Sequence, residues 1–154
     1  MYKKKYHKKR VTDNPLYDKF KVKKPTNLKA KLDKVFAEFI RLRDTMPNGF
    51  TRCISCGKII PYAETDCGHY LNRQHTATRF DEMNCNAQCR SCNRFDEGNI
   101  VGYRRGLVNK YGEKRVLLLE SRKYDVKKYS EFEYKVLIDY YQKKVKELRK
   151  EKDL

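Results

Sequence analysis

The sequence predicts an α+β fold: a small cysteine-rich core flanked by α-helices and preceded by an extended basic arm. Three observations predict it. Apolar residues recur at three- and four-residue spacing in separate stretches before and after residues 53–92, as amphipathic helices require. All six cysteines and two of the three histidines fall within 53–92, where four basic residues balance four acidic ones. The remainder is strongly basic, with 37 Lys and Arg against 20 Asp and Glu and a net charge of +17 over 154 residues.

That length suits one domain over 27–154 with an arm over 1–26. Hydrophobic residues make up 39%, a figure that includes 12 tyrosines and six cysteines, so the apolar core is thin and calls for stapling. No run of ~18 apolar residues is present, which excludes a membrane-spanning helix. Met1-Tyr2-Lys3-Lys4-Lys5 lacks the apolar stretch of a secretory signal. A cytoplasmic chain is expected, and its reduced thiols point to metal rather than disulfides. The positive charge favours a polyanionic partner, nucleic acid first and an anionic membrane surface second.

Residues 1–26 carry ten Lys or Arg and two acids. Lys3, Lys4, Lys5, Lys8, Lys9 and Arg10 cluster there among Tyr2, Tyr6 and His7, and Pro15 and Pro25 punctuate the segment. It buries too little to order itself and reads as a flexible, phosphate-tracking arm. Residues 27–46 follow as a helix with Leu28, Leu32, Val35, Phe36, Phe39 and Ile40 on one stripe. Thr26 or Asn27 caps its start and Pro47-Asn48-Gly49 stops it. The cysteine core spans 50–98. Helices fill 99–150: one through Ile100, Tyr103 and Leu107 to Gly112, a short one near Val116–Leu119, and one begun by the capping box Ser130-Glu131-Phe132-Glu133.

Cys53-Ile54-Ser55-Cys56 and Cys89-Arg90-Ser91-Cys92 are two C-x-x-C knuckles separated by 32 residues. Four soft thiolates at that spacing suit one tetrahedral structural zinc. Its binding would add folding free energy to a thin core. Cys67 and Cys85 lack a partner at knuckle spacing; they read as buried free thiols, with a second half-site the alternative. Between the knuckles stand His69, after a predicted strand, and Asn84; Asn93 follows the second knuckle.

This order resembles the HNH (ββα-metal, His-Me finger) nuclease motif. Gly68-His69-Tyr70, Arg79-Phe80, Asn84, Gln88-Cys89, Cys92-Asn93, Gly98-Asn99, Tyr103-Arg104 and Gly106-Leu107 together resemble the NinG/Rap family of lambda-type phages, over residues 28–150 or so. The resemblance implies a zinc-stapled ββα-metal core in a phage or prophage protein of the bacterial host. It implies a structure-specific endonuclease cutting D-loops and Holliday junctions, and the amide of Asn93 favours Mg²⁺ or Mn²⁺ as its ion. His69 is then the general base, Asn84 fixes the loop and orients His69, and Asn93 is a metal ligand in place of the commoner histidine. An amide oxygen there suits a hard cation. Many HNH sites carry an acid or histidine immediately before the base, where this chain has Gly68. Asp66, the nearest carboxylate, is the candidate to join Asn93 as a ligand of the divalent ion, although in an extended strand it faces away from His69 unless Gly68 bulges.

Arg73, Arg79, Arg104 and Arg105 are candidate DNA contacts, with surface ion pairs or a solvated helix flank as the alternative; His75 reads as a surface residue. Branched DNA and recombination proteins are the expected partners, and a homodimer suits paired nicks. The contrasting reading is a non-catalytic, zinc-stapled DNA-binding recombination accessory protein.

Overall fold

The computed structural model describes residues 27–154; the arm, with Lys3, Lys4, Lys5, His7, Lys8, Lys9 and Arg10, lies outside them. Helix α1 spans Leu28–Asp44, and the Asn27 side chain accepts the Ala30 N–H at 3.0 Å, so Asn27 supplies the cap. The helix stops two residues short of the expected 46, because Thr45 turns extended and its hydroxyl bonds back to the Arg41 carbonyl at 2.6 Å. Strands β1 (Phe50–Arg52) and β2 (Ile59–Pro61) form an antiparallel ribbon with Thr51 opposite Ile60. The first knuckle is the turn that joins them.

A second antiparallel ribbon pairs β3 (Thr65–His69) with β4 (Cys85–Cys89) in unbroken register, from Thr65 opposite Cys89 to His69 opposite Cys85. Every residue of β4 is buried. A single π-type turn, Ser91–Phe95, follows and carries Cys92 and Asn93. Helix α2 spans Ile100–Tyr111, capped by the Asn99 side chain on the Gly102 N–H at 3.1 Å. It ends at Gly112, whose φ of +85° favours glycine but whose extended ψ of 150° departs from the expected left-handed cap. Helix α3 (Glu113–Ser121) is longer than the short segment expected, and α4 (Glu131–Lys152) starts with the expected capping box on Ser130 and Glu133. Among the described residues no helix is long and apolar enough to cross a membrane.

Three apolar clusters hold these elements. The largest joins α1, α4 and one face of the β3–β4 ribbon through Phe36, Phe39, Ile40, Phe80, Ile138 and Tyr141. Tyr141 meets Phe36 edge-on with ring centroids 4.9 Å apart. Tyr103 and Leu107 of α2 pack with Val116 and Leu119 of α3 in the second. The third is the cysteine cluster with Ile60. At the seam of α1, β4 and α2, Asp44 accepts the Ala87 N–H at 2.9 Å and binds both Arg43 and Lys110 at 2.9 Å. Buried Tyr103 packs at the loop end of the ribbon, its hydroxyl lying 3.0 Å from the Gly68 carbonyl and 3.2 Å from that of Asn84.

Candidate functional site

The two knuckles meet. The four sulfurs of Cys53, Cys56, Cys89 and Cys92 lie within 4.8 Å of one another. Cys56 and Cys89 sulfurs are 3.8 Å apart. Zinc–thiolate bonds of ~2.3 Å in a tetrahedron set the sulfurs ~3.8 Å apart, so the cluster fits a zinc ion with a tightening of no more than ~1 Å. Gly57, at φ +75°, allows the tight turn, and its N–H bonds to the Cys53 carbonyl at 2.9 Å. Burial pushes the Cys53 thiol up, but the backbone N–H groups of Cys89, Cys56 and Ser55 outweigh it and lower the net value. Burial holds Cys89 and Cys92 above the usual thiol range. Four adjacent sulfurs cannot all ionise without a cation among them. Helix α2 reaches this centre through two glycines: a Cβ on Gly102 would meet the Ser55 carbonyl oxygen at 2.5 Å, and one on Gly106 the Ile54 carbonyl oxygen at 2.1 Å.

His69 closes β3. Its Nε2 lies 3.2 Å from the Arg79 carbonyl oxygen. A carbonyl only accepts, so Nε2 carries the proton in the neutral ring and Nδ1 carries the lone pair. Burial, then the Arg73 guanidinium, push the ring down to about 4 and keep it neutral near pH 7. His69 lines a cleft of about 350 Å³ together with Cys67, Arg73, Asn93 and Glu97. The structure thus brings His69 and Asn93 to one cleft.

Asp66 is placed differently from the expectation that made it a ligand beside His69. The ribbon has no bulge at Gly68. Asp66 instead takes Arg94 at 2.6 and 2.7 Å and the Asn93 amide at 3.0 Å, facing a neighbouring cleft. Burial opposes its ionisation, but Arg94 and Asn93 prevail and hold its carboxyl below the usual range. The carboxylate that shares the His69 cleft is Glu97, which sequence reasoning missed. Its φ of +44°, followed by Gly98 at +86° and Asn99 at +42°, marks a run of left-handed backbone beside the cleft. Its position just ahead of Gly98-Asn99 was the only sequence signal. Asn93 and Glu97 are oxygen donors of the type Mg²⁺ or Mn²⁺ takes in small number, water and phosphate completing the shell.

Asn84 is fully buried and fixes the loop between β3 and β4. Its Oδ1 accepts the Leu71 N–H at 2.7 Å, and its Nδ2 donates to the Leu71 and Thr78 carbonyls at 3.0 and 2.9 Å. Two candidate DNA contacts are committed elsewhere. Arg79 makes a two-pronged ion pair with Asp33 at 2.9 and 2.6 Å and donates to the Arg73 carbonyl at 2.7 Å. Arg104 pairs with Glu113 at 2.7 Å and Glu120 at 2.8 Å. Acidic partners on other elements claim both guanidinium groups, Asp33 on α1 for Arg79 and Glu113 and Glu120 on α3 for Arg104. Arg73 lines both clefts, and Arg105 lines a groove of about 640 Å³ between α2 and the first knuckle, beside Arg52. The expected free thiols, Cys67 and Cys85, are buried but not isolated: they cluster with His69.

The family described as Bacteriophage Lambda NinG protein matches residues 2–151. The protein ninG of Escherichia phage 933W is 38% identical over 113 residues, covering 72% of this chain and 53% of that protein. Proteins ninG of Escherichia phage lambda and Salmonella phage P22 are 37% and 38% identical over 113 residues, each match covering 72% of this chain and 52% of the relative. The chain spans about half the length of the curated relatives it matches. No solved structure matches it. With the family match running through both knuckles, the ribbon between them and the flanking helices, the chain belongs to the NinG family.

Proposed function

We propose that this protein is a metal-dependent HNH-type endonuclease that hydrolyses phosphodiester bonds in branched DNA. The observation that carries the reading is His69: a neutral imidazole, held by the Arg79 carbonyl through Nε2, with its lone pair on Nδ1, in a residue that lines a cleft. The order of elements supports it, with His69 ending one strand, Asn84 in the loop and Asn93 on the helical turn beyond the second strand. Nδ1 accepts a proton from a water, and the water oxygen attacks phosphorus in line as the bond to the departing deoxyribose oxygen breaks, that oxygen taking a proton from solvent. Arg73 at the rim binds phosphate. Asn93 and Glu97 would hold a divalent ion there, which would supply charge neutralisation to the phosphate. The cysteine-held zinc keeps the turn bearing Asn93 against the ribbon bearing His69 and takes no part in the chemistry.

The basic flanks favour DNA, and resemblance to the NinG/Rap family favours D-loops and four-way junctions. One observation favours the accessory-protein reading instead: Asp66, the carboxylate nearest His69 in sequence, is neutralised by Arg94. Incubating the protein with junction and linear duplex DNA in Mg²⁺, in Mn²⁺ and in chelator separates the two. Nicking is expected with either ion and lost in chelator, and His69→Ala lowers it by ~10²-fold or more with DNA binding retained. DNA binding without cleavage in both ions would leave the accessory reading standing.

A further inference from the structure

Cys67 and Cys85 have no part in the hydrolytic reading, yet the ribbon delivers both to His69. Its register sets His69 opposite Cys85 and Cys67 opposite Ala87, so all three side chains share one face. Their two sulfurs and a ring nitrogen lie within 4.8 Å of one another. Cys85 is fully buried, while Cys67 and His69 also line the cleft.

We propose that Cys67, His69 and Cys85 form a second, reversible zinc site, open on the cleft side, whose occupancy switches off His69 as a base. The ion site stands on the cluster itself; only the inhibition rests on the hydrolytic reading. Two thiolates and an imidazole are soft and borderline donors, which select zinc and reject Mg²⁺. Bond lengths of ~2.0–2.3 Å put such ligands ~3.5–3.8 Å apart, so the cluster needs to tighten by no more than ~1 Å. Two thiolates cancel the ion's charge, leaving a neutral complex in a buried position close to Arg73. Three protein ligands leave the fourth position to water from the cleft. The effect on catalysis does not depend on which ring nitrogen binds. Zinc on Nδ1 takes the lone pair directly; zinc on Nε2 moves the ring proton to Nδ1, which can then no longer accept one. Either way the imidazole stops serving as a base.

The test is a zinc titration of the full chain, with cobalt(II) as a coloured probe. Two ions per chain are expected, the second bound at least tenfold more weakly than the first. The thiolate-to-cobalt absorption should rise in two steps, the second about half the height of the first because it involves two sulfurs rather than four. The Cys67→Ser, Cys85→Ser double variant should keep the first ion and lose the second. Should that variant fail to fold, the two-step rise in the unaltered chain decides. One ion per chain, or a second ion retained by the folded double variant, overturns the site. Nicking in Mg²⁺ by the one-zinc protein should fall at least tenfold on adding the second equivalent. Two ions bound with no nicking in either state would uphold the site and overturn the nuclease reading. One ion with full nicking would do the reverse.

Discussion

Asn84 spends its whole amide on backbone, satisfying Leu71 on both its N–H and its carbonyl and Thr78 on its carbonyl. Asn84→Ala leaves these groups buried without partners, a loss of ~2–4 kcal/mol. The denaturant midpoint should drop accordingly, and an unchanged midpoint would show that water replaces the amide at no cost. The four knuckle cysteines were legible from spacing because C-x-x-C geometry is local. Cys67, Cys85 and His69 were not read as a group, since their meeting depends on a cross-strand register that spacing alone does not give. Glu97 was missed for a similar reason: an exposed carboxylate in a polar loop carries no signal until the fold sets it at the rim of the His69 cleft. Arg79 and Arg104 looked like DNA contacts until folding supplied Asp33, Glu113 and Glu120.

Helices with sustained apolar periodicity were readable nearly to the residue, and the capping box placed the start of α4. The strands were not, because ribbons of three and five residues carry too little pattern and much of their stability comes from what they pack on. How elements join is more testable. Gly106→Ala drives a Cβ into the Ile54 carbonyl, and that backbone belongs to the first knuckle. A cost of ~1–3 kcal/mol is expected, with faster release of zinc to a competing chelator. Zinc release at the parent rate would show that α2 yields instead. At the other seam, burial raises the Asp44 carboxyl, but the Arg43 and Lys110 cations and the Ala87 N–H overcome it and hold the net value below the ordinary 3.8. The unfolded chain therefore takes up this proton first as pH falls. The stabilisation is complete above pH ~4 and is lost as the pH drops further, through the folded value. Asp44→Asn takes the carboxylate from Arg43, which keeps the Glu82 and Cys85 carbonyls, and should cost ~1–3 kcal/mol at pH 7 while flattening this part of the acid unfolding curve. Parallel acid limbs for parent and variant would contradict the assignment.

At the scale of the molecule, charge and chemistry are divided: residues 53–92 sum to zero while the flanks hold the excess of +17. Deleting residues 2–26, with ten of the 37 basic side chains, should weaken DNA binding and make its dependence on salt shallower, leaving the rate of nicking on saturated substrate within a few fold. An unchanged salt slope would place the grip on the helices instead. The partition into basic flanks and a neutral, cysteine-rich centre was visible in composition; the division of the described interior into three clusters was not, because it follows from which helices find one another. The meeting of α1 and α4 has a consequence in time. Arg149 reaches back 111 positions to Glu38, and Lys152 reaches the Leu42 and Thr45 carbonyls across 110 and 107 positions. As the polypeptide leaves the ribosome, the knuckles and both ribbons are already in hand when the apolar face of α1, covered in part by Phe80 and the ribbon, still lacks the Ile138 and Tyr141 of a helix not yet made. The largest cluster is thus the last to close, and a chain stalled before α4 would carry a sticky surface beside a metal centre already able to form.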